Sequence, residues 1–171
     1  MATMTAGRAR TAKKPARVAK KMTPARKKVA RAAKRPAPPA LAMVRKTIDP
    51  GWTWDDGLPL AQARQIGNTI YVSGQVAYDA AGQLVGAGDM KAQTRQVFDN
   101  IKAVLAAAGA GMEDIIKINT YITDQSKFMD MLEVRKEIFS AQPPPASTAV
   151  VVAGLAFPGL LIEVEAIAVK S

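Results

Sequence analysis

The sequence predicts an α+β fold: a mixed sheet with two amphipathic helices on one face, preceded by a basic arm. Three observations predict it. The stretch LIEVEAIAVK at 161–170 alternates like a strand. Two stretches, near 89–108 and 126–140, carry apolar residues at helical spacing. The charge divides sharply along the chain: residues 1–46 hold 15 of the 24 Lys and Arg and no acid, while the rest holds all 14 acids. The net charge of +10 is therefore a +15 arm joined to a −5 body.

Each element has its own signal. Ile70–Gln75 is apolar and β-branched, and reads as a strand that ends near Gly74. Tyr78–Val85 carries a turn at Ala81–Gly82, which predicts a hairpin. Asp89 can cap a helix running to about Ala108, with Val97, Phe98, Ile101, Val104 and Leu105 in one stripe and Gly109 as its stop. DIIKINTYIT then alternates, with Ile116, Ile118, Thr120 and Ile122 on one face. A second helix spans roughly Ser126–Ser140 and groups Phe128, Met131, Leu132, Arg135, Ile138 and Phe139. Pro143–Pro145 forces an extended connection. Ser147–Val152 and Leu160–Val169 are the last strands, so the order is β-β-(β)-α-β-α-β-β. Two helices cover one sheet face. The other must meet something else, and a symmetric oligomer is the simple answer.

At 171 residues the chain has room for one domain, 43–171, and a tail, 1–42. The tail is mostly Ala, Lys, Arg, Pro and Thr, with repeated AKK and ARKK steps, and cannot bury enough apolar surface to offset ordering entropy. It reads as disordered. Its texture is similar to linker-histone tails in composition only, and implies salt-sensitive, sequence-independent attraction to nucleic acid through residues 8–35. Two other readings stay open: an organelle-targeting segment, or a true start at Met43 that leaves a 129-residue chain.

There is no Cys and no His. Disulfides, thiol nucleophiles and Cys-ligated zinc are excluded, and so are Ser-His-Asp and Cys-His catalysis within one chain. Chemistry must rest on carboxylates, hydroxyls, Lys, Arg, Tyr, backbone amides or water. No apolar run reaches the length of a membrane span, and the expected compartment is the cytoplasm. No metal-ligand spacing, phosphate-binding Gly loop or G-x-S-x-G is present, and Ser73–Gly74 is a strand-end bend without a base to activate the serine. Glu163 and Glu165 share one face of the terminal strand. Carboxylates are rarely buried unless paired or used, so one of them lines a cavity or both face solvent.

Five segments, GNTIYVSGQ (67–75), DNIKAVLAAAG (99–109), DIIKINTYITD (114–124), PPPASTAV (143–150) and IEVEAIAV (162–169), together resemble the RidA/YjgF family of reactive intermediate deaminases. The resemblance covers about Met43 to Ser171. It implies a chorismate-mutase-like fold assembled as a homotrimer, with helices outside and ligand clefts between subunits. It further implies hydrolysis of amino-acid-derived enamines and imines to 2-oxo acids and ammonia, a C–N hydrolase reaction that uses no metal or organic cofactor. In such clefts an arginine holds the substrate carboxylate, while a backbone amide and a glutamate place the attacking water.

Carried over position by position, Glu163 falls on the family's active-site glutamate, and Ser73, Gly74 and Gln75 on its strand-end motif. The carboxylate-binding arginine is replaced by Ser147, within Pro145-Ala146-Ser147-Thr148, and the cysteine two residues later by Ala149. Leu60 stands at the cleft tyrosine and Leu132 at an asparagine of the second helix. Ser73, Gly74, Ser147, Thr148, Ala149, Leu60 and Leu132 are thus the expected substrate contacts and Glu163 the expected catalytic group. A hydroxyl cannot replace a bidentate guanidinium. Neither Arg64 nor Arg135 is expected to stand in, since Arg135 belongs by its spacing to the helix surface. A guanidinium restored at Ser147 is expected to sit beside Thr148 and across from Glu163. Glu163, Ser73 and Gly74 favour an imine deaminase of altered substrate scope. Ser147, Leu60 and Leu132 favour a non-catalytic trimer that binds a small apolar ligand. The arm favours a nucleic-acid-associated protein.

Overall fold

Six strands build one sheet in the order β1-β2-β3-β6-β4-β5. They are β1 (Arg45–Ile48), β2 (Ala63–Ile66), β3 (Thr69–Val76), β4 (Ile115–Ile122), β5 (Ala146–Val151) and β6 (Ile162–Val169). The computed structural model describes residues 45–171. The expectations for residues 1–42 and for a start at Met43 lie outside the described residues. Every pairing is antiparallel except β4 with β5, so the sheet is mixed, as predicted.

Helix α1 (Met90–Ala107) forms where its cap and stripe place it. The Asp89 carboxylate accepts from the Lys91 and Ala92 amides at 2.9 and 3.1 Å, satisfying two donors that the first turn leaves free. Val97, Phe98, Ile101, Val104 and Leu105 are buried against the sheet. Gly109, at φ +68°, takes the left-handed conformation that ends the helix. Helix α2 (Phe128–Ile138) follows a short 3-10 turn at Gln125–Lys127, so the predicted 126–140 helix is shorter and begins later. Its acids point at α1: Lys91 bonds Glu133, and Arg95 bonds Glu137, each at 2.5 Å.

Three local expectations need correction. The 78–85 hairpin keeps a single bridge, Tyr78 to Leu84, around the turn at Gly82. Two strands appear where none was assigned, because RKTI and ARQI are short and largely polar, and β1 forms only by pairing with β2. In β4 a register shift between Ile115 and Lys117 turns Ile116 outward, so Ile115, Ile118, Thr120 and Ile122 face the core instead.

Both helices lie over the face that carries Ile118, Val164, Ala166 and Ala168. The opposite face is open and bears Tyr71, Asn119, Tyr121, Glu163 and Glu165. At the edge, all six residues of β5 are exposed.

Candidate active site

Strand β3 pairs with β6 up to Val72, then again from Gln75, so Ser73 and Gly74 bulge out of the ladder. Glu163 lies just past this interruption, paired with Val76 on one side and Tyr121 on the other, and its side chain reaches back to the bulge. Its carboxylate rests against the α-carbon of Gly74: a β-carbon there would overlap Glu163 Oε1. The glycine is needed for room and not for backbone conformation. The Ser73 hydroxyl donates to the Ala61 carbonyl at 2.6 Å, and its amide donates to the Gln62 carbonyl at 2.9 Å. This ties the bulge to the segment that carries Leu60, which is half exposed. Ser73, Gly74, Glu163 and the Leu60 segment therefore converge.

The electrostatics set the two acids apart. Burial first, and the nearby charge of Glu165 second, push the Glu163 carboxyl above the usual carboxylate range. Glu165 is held by two donors on one oxygen, Asn119 Nδ2 at 2.7 Å and Tyr121 Oη at 2.9 Å. The same hydrogen bond, with burial, pushes the Tyr121 phenol up. A half-buried acid of raised pKa beside an anchored one is a pattern that separates acid-base work from charge placement.

The remaining positions lie elsewhere in the subunit. Ser147 is in register with Ile118, whose partner on β6 is Ala166, so it belongs to the helix side of the sheet. Ala149 is in register with Thr120 on that side, and shares a cavity with Phe128 and Met129 of α2. Leu132 is half buried on the same helix. Thr148 alone points to the open face, where its hydroxyl accepts from Lys117 Nζ at 2.6 Å. The expectation that a group at Ser147 faces Glu163 therefore fails within one chain. Strand alternation puts the two on opposite faces, two strands apart.

Sequence reasoning missed the partners that organise this corner. Gln75 Nε2 donates to Gln62 Oε1 at 2.8 Å, and Gln62 Nε2 donates to Asp55 Oδ2 at 2.5 Å. This buried chain braces the strand end beneath the bulge. Gln75 stood in the matched motif, but nothing in the sequence linked it to Gln62 or Asp55. Asn119 and Tyr121 shared an outer face in the β4 alternation, but only the order β6-β4 reveals what they hold.

Residues 58–170 match the family model described as Endoribonuclease L-PSP. A RutC family protein of Pyrococcus horikoshii is 44% identical over 112 residues, covering 66% of this chain and 87% of its own length. A 2-iminobutanoate/2-iminopropanoate deaminase of Dermatophagoides farinae is 38% identical over 90 residues, covering 53% of this chain and 70% of its own. The crystal structure of the Escherichia coli YjgF gene product superposes with a TM-score of 0.67 at 34% identity, covering 74% of this chain and 99% of that one. A match over most of the body, with the same mixed sheet and paired helices, makes this chain a member of the Endoribonuclease L-PSP family, the family of RidA, YjgF and RutC proteins.

Proposed function

We propose that the protein hydrolyses reactive imines and enamines to oxo compounds and ammonia, needs no cofactor, and has a substrate scope altered by Ser147. One observation carries this reading: the half-buried Glu163 carboxylate, of raised pKa, set over Gly74 in the β3 bulge. The deaminase of Dermatophagoides farinae supports the class of reaction. Water adds to the C=N carbon while Glu163 takes a proton from it. The nitrogen gains that proton to give a carbinolamine; its hydroxyl proton then passes by way of Glu163 to the nitrogen as the C–N bond breaks, leaving C=O and NH3. Imines are intrinsically labile, so positioning water beside one acid-base group is sufficient chemistry.

The split of the expected contacts between two sheet faces supports an assembly. The open face of one subunit, with Glu163, Ser73, Gly74 and Leu60, meets the β5–α2 edge of another, with Ser147, Thr148, Ala149 and Leu132. Repeated head to tail and closed after three, this gives a homotrimer with a chorismate-mutase-like arrangement and three clefts.

The test is ammonia release from 2-iminobutanoate, generated in situ, and from an uncharged imine, with Glu163→Gln as the control. Turnover by wild type that falls about 10²-fold or more in the variant supports the reading. Equal turnover in both removes Glu163 from the reaction. A second reading rests on the cavity of ≈ 350 Å³ lined by Ile122, Phe128, Met129, Ala149, Val150 and Val151. It is lined almost entirely by apolar side chains and suits a non-catalytic site for an apolar ligand. Such a site binds its ligand equally well in Glu163→Gln and releases no ammonia.

A further inference from the structure

Arg135 stands one helical turn beyond Leu132 on α2, and it is half buried. Among the described residues its guanidinium makes no ion pair and no hydrogen bond. The acids of its own helix are turned away: Glu133 and Glu137 bond Lys91 and Arg95 of α1, and Asp130 lies 3.9 Å from Lys91. Burial alone pulls the Arg135 pKa down, with no acid near enough to offset it. A guanidinium stays charged at neutral pH even so. A partly desolvated, unmatched cation is costly, and an anion that fills the gap relieves the cost.

Position supports a ligand at this place. Arg135 lines a cavity of ≈ 250 Å³ with Leu132, Lys136, Phe139 and Pro144. The neighbouring cavity joins Phe128 and Met129 to Ala149, Val150 and Val151. The start of α2 thus shares a cavity with 149–151 of β5, and its end shares one with Pro144, just before β5. Ser147 falls between these two contacts in sequence. Helical side chains lean toward the helix N-terminus, so the Arg135 head group is directed back over Leu132.

We propose that Arg135 supplies from α2 the carboxylate-binding guanidinium that β5 lacks at Ser147. The substrate class is then a carboxylate-bearing imine with an apolar substituent, the carboxylate on Arg135 and the substituent against Leu132 and Phe139 of the same cavity. This rests on the cleft described above, and it reverses the expectation that Arg135 is spent on its helix surface. The altered scope becomes a displaced anion site, not a missing one.

The experiment is calorimetric titration of the full-length protein with 2-oxobutanoate, which has the carboxylate of the expected product, and with uncharged 2-butanone. Wild type should bind 2-oxobutanoate in preference to 2-butanone. Arg135→Met should weaken 2-oxobutanoate binding about 10-fold or more, as loss of a charge-assisted pair predicts. Arg135→Lys keeps the charge without the fork and should fall between, which also covers the case in which Arg135→Met fails to fold. Lys102→Met, on α1, should stay within about 2-fold of wild type, because that exposed ammonium lines no part of the Arg135 cavity. Wild-type affinity in Arg135→Met, wild-type affinity in Arg135→Lys, or no preference for the carboxylate in wild type would overturn the proposal. Binding is read without turnover, so absent ammonia release would sink the deaminase reading alone and leave the anion site standing.

Discussion

Glu163 carries two testable consequences of one environment. Its folded pKa lies above the ordinary carboxylate value of about 4.3, through burial and the charge of Glu165. The folded state therefore binds this proton more tightly than the unfolded chain does. The resulting stability is fully present below the unfolded pKa and is lost as pH rises through the folded pKa. At pH 7 the ionised group is a liability. Glu163→Gln should thus raise the melting temperature at pH 7, with the gain shrinking toward pH 4, while it should remove most of the proposed ammonia release. Melts at the two pH values check the sign, and an equal shift at both would remove the linkage. Gly74→Ala should act differently. Its β-carbon meets only the movable end of Glu163, and the backbone at 74 is not left-handed, so activity should fall with little change in melting temperature. Ammonia release and a melt on the same sample separate the two effects. The shared face of Glu163 and Glu165 was legible in the alternation of IEVEAIAV. The contact of Glu163 with Gly74 was not, because it depends on a bulge some 90 residues away in sequence, aligned only by pairing.

Among the elements, α1 was the most legible, since cap, stripe and stop all agree over eighteen residues. Strand β4 shows why agreement matters. Consecutive isoleucines at 115 and 116 satisfy either register, and only pairing with β6 decides between them. Ile118 is fully buried and Ile116 is 53% exposed. Ile118→Ala should destabilise by about 2–5 kcal/mol through transfer and cavity terms. Ile116→Ala should stay within about 0.5 kcal/mol, as a surface change does. Denaturant unfolding of the two variants would refute the bulge if the costs came out reversed. Strands β1 and β2 had no such pattern to read. Four residues at a sheet margin carry too little periodicity, and their stability comes from each other and from β3.

For the whole molecule, the proposed trimer would cover the open sheet face and the bare β5 edge. Light scattering at micromolar concentration should give three times the chain mass, and a clean monomer would end the intersubunit cleft. The basic residues before Thr47 add a salt-sensitive term: any affinity for nucleic acid should fall steeply from low to physiological salt, measured by fluorescence anisotropy. The β5 edge also governs how the protein fails. Its six exposed residues end in Val150 and Val151, at 42% and 52% exposure, and no charge or proline within the strand blunts them. A subunit freed from the proposed trimer would present that ribbon to other chains, and the expected product is a β-rich precipitate that does not refold. Storage behaviour then inverts the ordinary rule for aggregating proteins. In the proposed trimer the edge is occupied, so concentrated stocks should keep and dilute ones should precipitate on warming.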